Sequence, residues 1–336
     1  MKAIVVNAPD DFCLRDVPVP EVPAGWARLR VCASAFCATD LEVLAGAIPA
    51  RYPLTPGHEW CGVVDAVHGG DSSWVGKRVA GSNDVCCLTC AACRSGLWRS
   101  CAQFGEIGFA YDGAYAEYML VPQYALRPLP DSVSDVQAAL LEPLGVALGT
   151  LEKSDARMGD SLLILGAGSI GLNMLAAARA AGLVDITVVE HSGGRLPIAE
   201  KMGADHVLAS SRCDLRTELD KIYPQGPDIT IDCTGSEECV RLALDIAPKL
   251  GRVALAGYGR GRDMRLHVDD IHVKDLRVVG AGNNWNVIDR AIRLTAAGRI
   301  STEHLATHFA KLSDFGSAAD MARARPAGFV KAVFLP

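Results

Sequence analysis

The sequence predicts an α/β chain of two domains. An irregular β-rich part comes first, and a doubly wound parallel sheet follows. Three observations point there. Up to about Glu142, short β-like runs are broken by Gly, Pro and Asp. From Ser161 onward, Val/Ile/Leu strands alternate with helices, the pattern of βαβ units buried on both faces. The length, 336 residues, is that of about two domains.

In order along the chain, Met1-Lys2-Ala3-Ile4-Val5-Val6 reads as a strand. It is too short for the apolar core of a secretory signal. Val17-Pro18-Val19-Pro20-Glu21-Val22-Pro23 is a stiff extended connector. Ala27–Val31 and Gly62–Val67 read as strands, and Leu140 to Lys153 as a helix. Strands follow at Ser161–Leu165, Asp185–Glu190, Asp228–Cys233, Arg252–Ala256 and Leu276–Val279. Helices are expected at Ser169–Ala181, Arg195–Met202 and Glu237–Pro248. After Asn283-Asn284-Trp285, a stretch that either borders the substrate pocket or simply connects domains, come a helix, Val287–Ala297, and an apolar strand, Phe329–Leu335.

Composition narrows the function. Half the residues are hydrophobic, 21% are charged and the net charge is −6, with no basic stripe. Nucleic acid and anionic membranes are not indicated as partners, and no apolar run is long enough to span a bilayer. The expectation is a cytoplasmic protein acting on a small molecule. Twelve cysteines are many for such a chain, and five fall between Cys86 and Cys101. In a reducing compartment that clustering suggests metal before disulfides. Cys13, Cys32, Cys61, Cys213, Cys233 and Cys239 read instead as buried small apolar residues.

Strand Ser161–Leu165 runs into Gly166-Ala167-Gly168-Ser169-Ile170-Gly171, and a helix follows. In that context GxGxxG is a dinucleotide fingerprint of the Rossmann type. Gly166 permits the tight turn, Gly168 lets backbone approach a pyrophosphate, and Gly171 lets helix and strand pack closely. The helix N-terminus offers free N–H groups to the phosphates. Glu190 closes the next strand, 19 residues after Gly171, where a carboxylate would accept ribose hydroxyls and repel a 2′-phosphate. That favours NAD over NADP, although His191, Ser192 and Arg195 follow and could hold a phosphate.

Cys87-x2-Cys90-x2-Cys93-x7-Cys101 brings four thiols onto one lobe, which suits a closed, tetrahedral structural zinc site. Nothing else in the sequence supports electron transfer, so zinc is preferred, though spacing alone leaves iron open. Three further elements carry borderline zinc donors: Cys37-Ala38-Thr39-Asp40, Gly57-His58-Glu59-Trp60-Cys61-Gly62 and Glu142-Pro143-Leu144. A thiolate, an imidazole and carboxylates, with one position open, make a catalytic zinc set.

On these motifs the chain resembles the zinc-containing medium-chain dehydrogenase/reductase (alcohol dehydrogenase) superfamily over essentially its full length. Gly57-His58-Glu59-x2-Gly62 resembles that family's zinc signature. Glu142-Pro143-Leu144 resembles the polyol, sorbitol and cyclitol branch, where ethanol-type members usually carry a cysteine. Gly105-Glu106-Ile107-Gly108-Phe109 and Asp112–Tyr118 also look like that branch, and are similar to aminocyclitol dehydrogenases. The resemblance implies a GroES-like catalytic domain at 1–149 plus 283–336, with the Rossmann domain, 150–282, inserted. It implies two zincs per chain and a homo-oligomer, dimer or tetramer. Cys37 and His58 would hold the catalytic zinc, Glu59 would be a ligand or the close partner of one, and Glu142 would bind directly or through water. Thr39 would take the substrate proton. Family members often carry a histidine five residues after that cysteine. This chain has Glu42, so the proton's exit could run through Glu42, water or a ribose hydroxyl.

The expected reaction is reversible oxidation of a secondary alcohol on a small polar substrate (polyol, sugar, or a cyclitol or aminocyclitol such as 2-deoxy-scyllo-inosamine) by hydride transfer to NAD. Zinc lowers the pKa of bound water from about 15.7 to about 7, and a bound alcohol should respond likewise. Two rivals are an NADPH-dependent carbonyl or enone reductase on the same fold, which needs no metal, and a non-enzymatic NAD-binding regulatory protein.

Overall fold

The computed structural model describes residues 1–281 and 287–336. Asn283-Asn284-Trp285 and the expected boundary at 282/283 lie outside the described residues. Six strands form one parallel sheet in the order His206–Ala209, Val184–Glu190, Ser161–Leu165, Ile229–Asp232, Arg252–Leu255, Arg277–Gly280. The first of these six strands along the chain, Ser161–Leu165, thus stands in the middle, and the order reverses beside it. That reversal opens a crevice at the carboxyl ends of the strands.

The sheet is hydrophobic because both faces are covered. Leu162, Leu163, Ile164 and Leu165 are all fully buried. Two apolar clusters flank the sheet: Leu162 and Ile164 point into one, Leu163 and Leu165 into the other. Their alternation is the two-residue period of a strand.

The second sheet is mostly antiparallel. Its path runs Ala306–Ala310, Lys331–Phe334, Trp26–Ala35, Glu59–His68, Arg78–Gly81, Leu126–Pro128, with Tyr118–Pro122 also pairing Trp26–Ala35. The tail of the chain is therefore built into the sheet of its beginning. Val333 pairs with Ala35, and Ala35 pairs on its other side with Glu59. Helix Leu141–Lys153 buries Leu141, Leu144, Ala147 and Leu151. Through it, one apolar cluster runs from Ala33 and Cys61 to Leu162 and Ile164, so the two lobes share core.

Several elements carried no sequence signal: strand His206–Ala209, helix Leu215–Ile222, strand Ala306–Ala310 and helix Phe315–Ala324. The cysteine reading is corrected. Of the six, Cys61 is buried and Cys32, Cys213, Cys233 and Cys239 are partly buried; Cys13 is exposed, because strand Asp11–Asp16 pairs with Lys2–Ala8 and turns alternate residues outward.

Helix Ser169–Ala180 leaves the turn with no room to spare. A Cβ on Gly171 would lie 1.8 Å from the Gly166 carbonyl oxygen, and Gly166 itself has φ +108°. Gly171→Ala must push helix and strand apart. It should destabilise the protein by about 1–3 kcal/mol, read as a lower Tm; an unchanged Tm would show the turn to be more compliant than its geometry says.

Candidate active site and cofactor crevice

Cys37 follows strand Trp26–Ala35 closely and caps helix Ala38–Leu44; His58 immediately precedes strand Glu59–His68. Antiparallel pairing of these strands, with Ala35 opposite Glu59, brings the end of one to the start of the other. Donor atoms of Cys37, His58 and Glu59 then lie within 4.8 Å of one another. The Cys37 thiol is 3.5 Å from Thr39 Oγ1. Glu142 does not join this trio, but it is close enough for His58, Glu59 and Lys331 to act on its charge.

Buried partners orient the trio. Asp40 is fully buried; it accepts from the Cys37 N–H at 2.8 Å and from the Tyr115 hydroxyl, and its other oxygen lies 3.4 Å from His58 Nδ1. Asn83 Nδ2 donates to the His58 carbonyl at 2.6 Å, and Trp60 Nε1 donates to Asn83 Oδ1 at 2.7 Å. The Phe109 ring packs on the imidazole at 5.0 Å. Burial alone would hold the His58 pKa down, but Asp40 and Cys37 outweigh it and raise it well above its ordinary value. Burial is also the largest influence on Glu142, whose carboxyl is pushed up to about 7 despite His58.

Sequence reasoning gave no role to Lys331. Its ammonium donates to Glu59 Oε1 and Oε2 at 2.5 and 2.6 Å and to the Phe36 carbonyl at 3.2 Å. Lysine and glutamate side chains are 2% and 1% exposed. Burial disfavours the ammonium, yet Glu59 more than compensates and holds its pKa above the ordinary value. The available signal was a single charge inside the apolar run Phe329–Phe334. Nothing local could name a partner 272 residues away. Asp40, Asn83 and Tyr115 were likewise legible only as residue types.

The second cluster is separate. Cys87, Cys90, Cys93 and Cys101 also bring their sulfurs within 4.8 Å of one another. Cys87 Sγ lies 3.9 Å from Cys93 Sγ and 3.6 Å from Cys101 Sγ. A tetrahedron with zinc–sulfur bonds of about 2.3 Å has edges of about 3.8 Å, so the four fit a zinc ion and none is close enough to be a disulfide. N–H groups of Cys90, Cys93 and Gln103 donate to sulfurs of the cluster. Hydrogen bonds from Thr89 lower the Cys87 pKa to about 6. Cys86 is outside the four and its thiol lies 3.5 Å from the Trp98 carbonyl.

At the sheet's crevice, a Cβ on Gly168 would meet nothing within 4 Å. Gly168 caps helix Ser169–Ala180, whose first turn holds no acidic residue, and the buried Ser169 Oγ has no partner in the structure. Ile170 follows within that first turn. Open space, free helix N–H groups and a waiting hydroxyl fit a pyrophosphate. Glu190 ends the neighbouring strand and accepts from Ser192 Oγ at 3.1 Å to each oxygen. Arg195 Nε donates to the Phe329 carbonyl at 2.7 Å, and its guanidinium is close enough to Glu190 for that carboxylate to act on its charge.

Residues 23–131 match the family model of the alcohol dehydrogenase GroES-like domain, and residues 169–297 that of the zinc-binding dehydrogenase. The chain is 31% identical over 343 residues to an erythritol/L-threitol dehydrogenase of Mycolicibacterium smegmatis, covering 96% of this chain and 94% of that one. A structure described as a zinc-binding dehydrogenase of Sinorhizobium meliloti 1021, bound to NADP, superposes with a TM-score of 0.92 at 30% identity, over 100% of this chain and 99% of the other. An alcohol dehydrogenase of Escherichia coli CFT073 complexed with NADH gives 0.94 at 26% identity, with the same coverage.

Removing one half of a buried ion pair strands the other. Lys331→Met should cost about 3–5 kcal/mol in denaturant unfolding, and adding Glu59→Gln should restore most of it. A single variant as stable as the parent would mean that the pair is not sealed from water.

Proposed function

The chain belongs to the zinc-binding alcohol dehydrogenases of the medium-chain dehydrogenase/reductase superfamily, oxidoreductases acting on a CH–OH group. On that premise we propose that it oxidises a secondary alcohol of a polyol, sugar, cyclitol or aminocyclitol to the ketone, reversibly, with NAD and a catalytic zinc. The observation that carries the reading is the convergence of Cys37, His58 and Glu59 from two separate segments within 4.8 Å. The erythritol/L-threitol dehydrogenase relative supports the polyol class.

When bound, zinc supplies the acidity that lets a hydroxyl lose its proton near neutral pH, and NAD supplies the hydride acceptor. Cys37 and His58 hold the metal. Asp40, 3.4 Å from His58 Nδ1, would orient the ring that holds the ion. Glu59, restrained by Lys331, would be a ligand or the close partner of one, and Glu142 would bind directly or through water. Thr39 Oγ1, beside the Cys37 sulfur, would accept the proton of the substrate hydroxyl while passing its own on to water, Glu42 or a ribose hydroxyl. Gly166, Gly168, Ser169, Ile170 and Gly171 cradle the pyrophosphate, and Glu190 binds the adenosine ribose. Arg195, beside Glu190, borders the same end of the site, and the Glu190 carboxylate is what favours NAD over NADP. Cys87, Cys90, Cys93 and Cys101 hold a structural zinc. The metal-free NADPH reductase reading would leave both donor sets without a purpose. A cytoplasmic, homo-oligomeric protein completes the proposal; all twelve cysteines are unpaired, which suits a reducing compartment.

Purified protein should carry about two zincs per chain. Cys37→Ser or His58→Ala should abolish turnover in a screen of polyols, cyclitols and amino alcohols with NAD, while NADH still binds. Turnover that persists in a variant with its catalytic zinc demonstrably gone would refute the reading. Separately, Glu190→Ala should reduce the preference for NAD over NADP by about tenfold, the equivalent of one contact to a charged group. A preference that does not move would remove the case for NAD.

A further inference from the structure

Helix Ala38–Leu44, which begins at Cys37 and carries Thr39, is tied to the other lobe by one ion pair. Arg260 Nε lies 3.0 Å from Glu42 Oε1. Glu42 is mostly covered, with 19% of its side chain exposed, and Arg260 is 40% exposed.

Arg260 stands five residues beyond the carboxyl end of strand Arg252–Leu255, on the rim where doubly wound sheets bind their ligands. Its loop is anchored at its root. The Gly257 N–H donates to the Asp232 carbonyl at 2.9 Å, and any Cβ on Gly257 would collide with Thr234 and Gly235. Arg260 has φ +56° between Gly259 and Gly261. A non-glycine residue rarely takes that conformation. Such strain persists where surrounding contacts demand it, and the contact here is Glu42.

We infer that Arg260 and Glu42 form a clasp across the cleft that biases the two lobes toward the closed arrangement, making Arg260 a positioning residue. The clasp matters because the reacting halves sit on different lobes. Thr39 and the Cys37–His58 donors belong to one, and the glycine-rich turn to the other. Hydride transfer needs reacting atoms about 3–3.5 Å apart and aligned, so whatever favours approach of the lobes favours reaction. Cofactor binding itself also favours the closed form. A lost clasp is therefore compensated at saturating cofactor and shows most at low cofactor.

The inference rests on the dehydrogenase reading only for its kinetic arm. In the free protein, Arg260→Gln and Glu42→Gln should each speed amide hydrogen exchange about fivefold at both 38–44 and 257–261, the scale of a partly exposed pair. The double variant should exchange no faster than either single one, and the charge swap Glu42→Arg/Arg260→Glu should restore protection. With NAD and an active substrate, kcat/KM for NAD should fall about fivefold in Arg260→Gln while kcat stays within about twofold. High salt should erase the difference from the parent. Unchanged exchange in the single variants, additive effects in the double, or a swap that restores nothing would overturn the clasp. A loss confined to kcat would do so too. Exchange results as expected in a protein that oxidises no alcohol would leave the clasp standing and count against the dehydrogenase reading instead.

Discussion

The pairing of strand Lys331–Phe334 with Trp26–Ala35 is the constraint on which the active site depends. It seats Lys331 across the central strand from Glu59. Without that ammonium a carboxylate would be buried with no counter-charge, several kcal/mol in deficit. With it, the segment between Cys37 and the helix it caps, and the segment from His58 into its strand, share one stable edge. The same Lys331 also holds the Phe36 carbonyl, one residue before the thiol donor. One side chain thus neutralises the acid and fixes the backbone that presents the sulfur.

The surroundings carry more potential negative charge than positive. Among the described residues, Cys37, Asp40, Glu59 and Glu142 face Lys331 and a histidine whose pKa is raised by two of those acids. The raised histidine answers to Asp40 and Cys37, and the raised glutamic acid chiefly to burial, with Glu59 adding to it. A divalent ion relieves the same excess more completely, which is why the arrangement reads as a metal site and not as a general acid–base pair. Asp40 shows how closely the elements are bound together. It accepts from the Cys37 N–H and the Tyr115 hydroxyl, and its other oxygen lies 3.4 Å from the His58 ring, so one buried carboxylate borders all three.

What was legible in the sequence was local. The strand Ser161–Leu165, its glycine turn and the following helix share about twenty consecutive residues, and each carries its own chemical reason. The four-cysteine lobe spans fifteen residues, Cys87 to Cys101. Single residues facing across long separations were not legible: Lys331 to Glu59, Arg195 to Phe329, Arg260 to Glu42. Short or polar elements were also silent. His206–Ala209 has only four residues, too few to show a period, and helix Phe315–Ala324 is built largely of alanine and small polar residues, whose apolar face is faint. Arg195 follows Glu190 closely in sequence, but only the folded chain brings the Phe329 carbonyl to its Nε.

Glu59 and the residue that neutralises it are separated by 272 positions, with the whole parallel sheet between them. A ribosome emits the first half of this chain long before Lys331 exists. The nascent zinc lobe must wait through synthesis of the intervening sheet with its acidic pocket incomplete. Either its edge strands stay open to solvent during that interval, or the pocket binds protons that it later gives up. Placing the closing strand after the parallel sheet makes completion of the acidic pocket a late event, after the sheet has had its chance to fold.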